Sequence, residues 1–167
     1  MRKILLISAT LFALNGCAIW GQFKDTVGLI PATAEVEINI STADILNLRP
    51  DGSSSPVILR VYELSSPILF RSLGFFSLFE NDRAALGDEY IRRYEFQLEP
   101  EEQLRQKLIL DESTRAVGFA VAFRNVNSAV WRVSHDIDAR TSYYLDVTLE
   151  DNILDVKNTV GVEQIYF

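Results

Sequence analysis

A chain of 167 residues fits one domain with a sizeable core, and 48% apolar against 23% charged residues excludes a wholly disordered protein. The formal net charge of −7 runs against nucleic acid as a partner, because phosphate binding needs clustered Lys and Arg. One cysteine excludes an internal disulfide and a multi-cysteine metal site, one histidine excludes a histidine-rich one, and no metal or cofactor is expected.

Residues 1–16 read as an export signal. Arg2 and Lys3 form a positive start, Ile4 to Leu14 an apolar run broken only by Ser8 and Thr10, and small residues lead to Cys17. The run is too short for a comfortable membrane span. Leu14-Asn15-Gly16-Cys17 resembles a bacterial lipobox, with Asn15 where Ala or Ser is usual. The resemblance implies cleavage after Gly16, a diacylglycerol thioether on Cys17, and acylation of the new amino group by a chain such as palmitate. Each buried CH₂ contributes about 0.8 kcal/mol, and two or more chains hold a protein stably where one does not. The alternative is an ordinary signal whose mature protein keeps a cysteine. Ala18, in place of the Asp that often retains bacterial lipoproteins in the inner membrane, favours the outer membrane. Residues 17–33 then form a lipidated N-terminus and tether spanning about 20 Å if flexible. Trp20 and Phe23 either dip into the membrane interface or pack on the domain.

From Ala34 the pattern is that of strands, and residues 34–167 are expected to form the folded domain. AEVEINI alternates Val36, Ile38 and Ile40 with Glu35, Glu37 and Asn39, a half-buried strand that runs on weakly to Ile45. NLRPDGSSSP follows with the residues of an exposed, mobile loop: Asn47, Leu48, Arg49, Pro50, Asp51, Gly52, Ser53, Ser54, Ser55 and Pro56. PVILRVYEL is a second strand.

The strand rhythm stops at Ser65. Ser65-Ser66-Pro67 opens a helix with Ile68, Leu69 and Leu73 on its apolar face. A second short helix is expected over Phe76 to Glu80 and a third from Asn81 or Asp82 to Gly87. Phe70, Phe75, Phe76, Leu78 and Phe79 either cap an open end of the core or present a partner surface.

Strands resume in YIRRYEFQLE, EQLRQKLILD, RAVGFAVAFR, WRVSHDI, SYYLDVTLE and NILDVKN, with turns at Pro100-Glu101, Asp111 to Thr114, Asn125 to Ser128 and Glu150 to Asn152. AVGFAVAF is apolar on both faces, as a central strand is. Arg92-Arg93 reads as a solvated strand edge. The expected fold is all-β, a two-sheet β-sandwich of eight strands with a short helical insertion between the second and third.

Ser134-His135-Asp136 lists the residue types of a hydrolytic triad, but neighbours on a strand alternate faces and a triad must converge. Nothing acidic has calcium-loop spacing, and no Gly-rich phosphate loop is present. No catalytic residue is expected. A small-ligand-binding or hydrolytic lipoprotein is the alternative reading, and His135 is the residue to test for it.

SPVILRVYEL, FFSLFENDRAALGDE and RAVGFAVAFRNVNSAVWR, in that order from residue 34 onward, resemble the type VI secretion lipoprotein family TssJ. The resemblance implies a transthyretin-like sandwich with an extra helical element and a non-enzymatic role. It implies an outer-membrane, periplasm-facing protein that binds the periplasmic C-terminal region of TssM within a TssJ–TssL–TssM membrane complex. It also assigns the Asn47–Pro56 loop to TssM docking; the residues alone support an accessible, mobile loop and nothing more, and a spacer between strands is the alternative.

Overall fold

The computed structural model describes residues 33–138 and 141–159. The proposed signal, Cys17 and nearly all of the tether lie outside the described residues. Strands β1 (Glu35–Leu46), β2 (Val57–Leu64), β3 (Tyr90–Leu98), β4 (Gln103–Ile109), β5 (Ala116–Val121), β6 (Arg132–Asp136), β7 (Ser142–Asp151) and β8 (Ile153–Asn158) follow the sequence pattern closely. They form two four-stranded sheets, β4-β1-β7-β8 and β3-β2-β5-β6. β1 pairs in parallel with β7, and the other named strand pairs are antiparallel.

The alternation of β1 is realised as expected: Val36, Ile38 and Ile40 are buried between the sheets. They meet Leu145, Val147 and Leu149 of β7 and the inward residues of the other sheet, Val57, Leu59, Val61, Val117, Phe119 and Val121. Outward-facing Glu35 and Glu37 pair with Lys107 and Arg105 of β4 at 2.7 and 3.4 Å. These are exposed pairs, each contributing a fraction of a kcal/mol.

β5 is buried along its whole length because its outer face is also covered. Ala116, Gly118 and Ala120 line a shallow trough on that face. The insertion between β2 and β3 fills the trough with α1 (Ile68–Ser72) and α2 (Phe75–Leu86). Tyr62, Leu64, Phe70, Leu78, Leu86, Ala116 and Ala120 form a second apolar cluster there, separate from the core between the sheets. The expected second and third helices run together as α2, kinked at Asn81 (φ −148°, ψ 50°), and Gly87 ends it at φ +52°, a backbone state suited to glycine.

Two expectations are corrected here. Ile68 and Leu69 are not the buried face of α1: they are 72% and 39% exposed, and the buried residue of α1 is Phe70. A helix of five residues makes little more than one turn, so its apolar count does not choose its buried face. The choice is made from outside. Arg132 of β6 donates to the carbonyls of Phe70 and Leu73, and the Glu89 carboxylate accepts from the Leu69 N–H at 2.8 Å. The Phe-rich segment, moreover, does not close an end of the core. It seals the outer face of the second sheet, with Phe75 stacked on Phe79 and edge-on to Trp131, and leaves Phe76 64% exposed.

Arg93 is likewise more than a solvated edge residue. It reaches across to Asp82 of α2 at 2.6 Å and so ties the insertion to β3.

Candidate functional site

The segment joining β1 to β2 is hydrogen-bonded both within itself and to the residues at the end of β7 and after β5. At its tip, Arg49-Pro50-Asp51-Gly52 is a β-turn: the Gly52 N–H donates to the Arg49 carbonyl at 2.9 Å, and Gly52 takes φ +83°. Asp51 Oδ1 accepts from the Ser53 hydroxyl at 2.6 Å and the Ser53 N–H at 3.0 Å. Those two bonds hold the Asp51 carboxyl below the usual range, so the tip carries a firm negative charge. The Arg49 guanidinium folds back on Ser53 Oγ and the Ser54 carbonyl.

Asn47 ties the base to β7 and to the segment after β5, and closes the loop on its own far end. This residue is 3% exposed and sits at φ +48°, a left-handed state that Asn tolerates better than most side chains. Its N–H donates to the Asp151 carbonyl at 2.8 Å, its Nδ2 to the Pro56 carbonyl at 2.8 Å, and its Oδ1 accepts from the Arg124 N–H at 2.8 Å. Buried Ser55 donates its hydroxyl to the Asn47 carbonyl. The ten expected docking residues thus divide by position. Asn47 and Ser55 hold the base, Ser54 and Pro56 are half-buried, and residues 48–53 are exposed.

Large apolar side chains surround this end of the sandwich. Leu48 and Ile45 are 39% and 49% exposed, and Ile153 follows the β7–β8 turn at 52%. A groove of about 410 Å³ lies beside the loop on the outer face of the second sheet. It is lined in part by Arg49, Pro56, Ile58, Gln97, Ala122 and Arg124. Ile58, Gln97, Ala122 and Arg124 carry no signal in the sequence. Ile58 shares its strand face with Tyr62 and Leu64, and nothing in the pattern says that the insertion buries those two and stops short of Ile58.

The tempting triad is dispersed. Ser134 Oγ accepts from Arg71 Nε at 2.7 Å and Asp136 pairs with the same guanidinium at 2.8 Å, while His135 on the opposite face packs edge-on to Tyr143, ring centres 5.5 Å apart. Among the described residues no group of His, Cys, Asp and Glu is placed to hold a metal ion, and no helix is long and apolar enough to cross a membrane.

The fold is a two-sheet β-sandwich with an exposed, hydrogen-bonded loop at one end and large apolar side chains near it. The family model for the type VI secretion lipoproteins VasD, EvfM, TssJ and VC_A0113 matches residues 34–152. The chain belongs to this family. The crystal structure of the type VI secretion lipoprotein TssJ1 from Pseudomonas aeruginosa is 32% identical, with a TM-score of 0.74 over 76% of this chain and 97% of that one. Lip from Serratia marcescens, described as a membrane-bound component of the type VI secretion system, is 16% identical, with a TM-score of 0.69 over 75% of this chain and 98% of that one. A chain in a structure described as the TssM C-terminal domain from EAEC is 20% identical, with a TM-score of 0.65 over 75% of this chain and 98% of that one. The last two, at under a quarter identity, attest the fold. No curated protein matches the chain.

Proposed function

We propose that this type VI secretion lipoprotein is a non-enzymatic scaffold, anchored in the outer membrane through lipid on Cys17 after removal of residues 1–16. Residues 17–33 serve as its tether and residues 34–167 as its periplasmic domain. In this reading it holds the periplasmic C-terminal region of TssM, within a complex that includes TssL, and loop 47–56 is the docking element. The observation that carries the proposal is the loop itself: Asn47 and Ser55 brace it from below while residues 48–53 stand exposed. A loop fixed before binding loses less conformational entropy on docking. The family, and the occurrence of this fold in a structure described by its TssM domain, support the choice of partner.

The test is binding of the detergent-solubilised protein to the TssM periplasmic region, with and without residues 49–55. Removal of the loop should weaken binding at least tenfold with the sandwich still folded. Unchanged affinity in a folded variant removes the docking assignment. Radiolabelled palmitate incorporation that survives Cys17→Ser removes the anchor assignment.

A further inference from the structure

The helical insertion leaves one strip of the outer sheet face bare. Going up β2 on that face, Leu64 and Tyr62 lie under α1 and α2, and Arg60 is taken by Glu95 at 2.8 Å, the Phe79 carbonyl at 2.9 Å and the Phe79 ring at 4.4 Å. The next residue is Ile58, uncovered and 39% exposed, with Gln97 opposite it on β3 and Ala122 bonded to it from the other side. Loop 47–56 walls the strip, which makes it a groove rather than a plane.

Two cationic side chains stand at its rim. The chain is acidic, at −7, yet Arg49 and Arg124 both line the groove. Among the described residues neither has a carboxylate within ion-pair distance, a state shared by Arg83, Arg115 and Arg132, of which none lines the groove; the Asp51 carboxylate at the loop tip feels the charge of Arg49 without pairing to it. Arg49 bonds only to a hydroxyl and a carbonyl, and Asn47 fixes the backbone of Arg124. Two guanidinium groups without carboxylates beside a recessed apolar floor complement an anionic ligand that also carries a hydrophobic group.

We propose that this groove takes an extended acidic segment of the partner protein, with a carboxylate on Arg49 and Arg124 and a neighbouring apolar side chain over Ile58. The proposal rests on the scaffold reading above and names the chemistry of what is held. A recessed floor admits a peptide side chain, whereas a flat bilayer meets only the rim.

The experiment measures binding of the whole detergent-solubilised protein to three probes. These are the TssM periplasmic region, a synthetic peptide Ac-EEFEE-NH₂ with Ac-QQFQQ-NH₂ as its control, and phosphatidylglycerol vesicles. The variants are Arg49→Gln/Arg124→Gln and Ile58→Ser. The glutamate peptide should shift the backbone amide resonances of Ile58, Gln97 and Ala122, and the glutamine peptide should not. The double variant should abolish those shifts and weaken TssM binding about tenfold, and Ile58→Ser should weaken it less but without salt dependence. If TssM binds the protein and the double variant equally, the groove proposal is overturned and the scaffold reading stands. If TssM does not bind at all, the scaffold reading fails and the peptide shifts decide the groove. Absence of the peptide shifts overturns it then, as does vesicle binding lost in the double variant. Removal of residues 160–167 moving the same three resonances in the free protein also overturns it, since the tail would then be the occupant.

Discussion

The ring of Phe70 occupies the space in which residue 118 would carry a side chain. A Cβ built on Gly118 would lie 2.7–2.9 Å from three atoms of that ring, closer than van der Waals contact permits. The absence of a side chain at this position of β5 is what lets α1 lie on the sheet. Gly118→Ala is expected to cost about 1–3 kcal/mol by overpacking. Phe70→Leu in the same molecule should return part of that loss, because the two residues share one space. Urea unfolding of the single and double variants measures both, and a Gly118→Ala protein as stable as the parent would show that α1 is not seated on this glycine.

Tyr62 lies beneath α1, tilted against Phe70 at 5.5 Å, with its hydroxyl buried and without a hydrogen-bond partner. Burial pushes its pKa up from 10.0 to about 12. The native state therefore keeps a proton that the unfolded chain gives up. The resulting term in stability is complete below pH 10.0 and is lost as pH rises toward about 12. Tyr62→Phe should be at least as stable at neutral pH, since it removes a desolvated hydroxyl. It should also lose less stability than the parent between pH 10 and 12. Thermal unfolding across that range is the measurement, and parallel curves for the two proteins would contradict the assignment.

Strand positions were legible because their causes are local. Val36-Ile38-Ile40 alternates with polar residues, and Pro50-Asp51-Gly52 announces a turn. What the pattern hid was decided between distant segments. The buried face of α1 is chosen by Gly118, Arg132 and Glu89, none of them on the helix. The attachment of loop 47–56 to the rest of the domain comes from Asn47 meeting Asp151 and Arg124, two contacts that no local composition encodes. Arg124 therefore joins Arg49 at the groove through tertiary structure alone. Cys17 is the opposite case: its reading rests on four adjacent residues and lies outside the described residues.

Glu63 is fully buried at the inner edge of β2, where it organises the crossing from β4 to β5. Its carboxylate accepts from Tyr94 OH at 2.8 Å, the Asp111 N–H at 2.9 Å and Thr114 Oγ1 at 3.2 Å, with Arg92 at 3.5 Å. Glu63→Ala orphans these donors, and each one left buried costs about 1–3 kcal/mol. Glu63→Gln keeps the shape and part of the acceptor capacity, so its loss should be smaller. Hydrogen exchange at Asp111 and Thr114 should accelerate in both variants, more in the alanine. Unchanged exchange would mean that the turn is held by its own Asp111–Ser113 contacts instead.

Asn47 separates the order of the loop from its chemistry. Asn47→Ala removes two side-chain hydrogen bonds at a position of φ +48°, and should destabilise the domain by about 1–3 kcal/mol. Asn47→Gly removes the same bonds but accepts the backbone conformation freely, so it should be the more stable of the two. Both variants leave Leu48 to Ser53 intact. If docking depends on a loop fixed before contact, both should bind the TssM periplasmic region several-fold more weakly, chiefly through the cost of ordering the loop on binding. Equal affinity for the parent and the glycine variant, with stability lowered as stated, would place the docking energy in the exposed side chains alone. The hydrogen bonds beneath the loop would then serve the fold and not the interface.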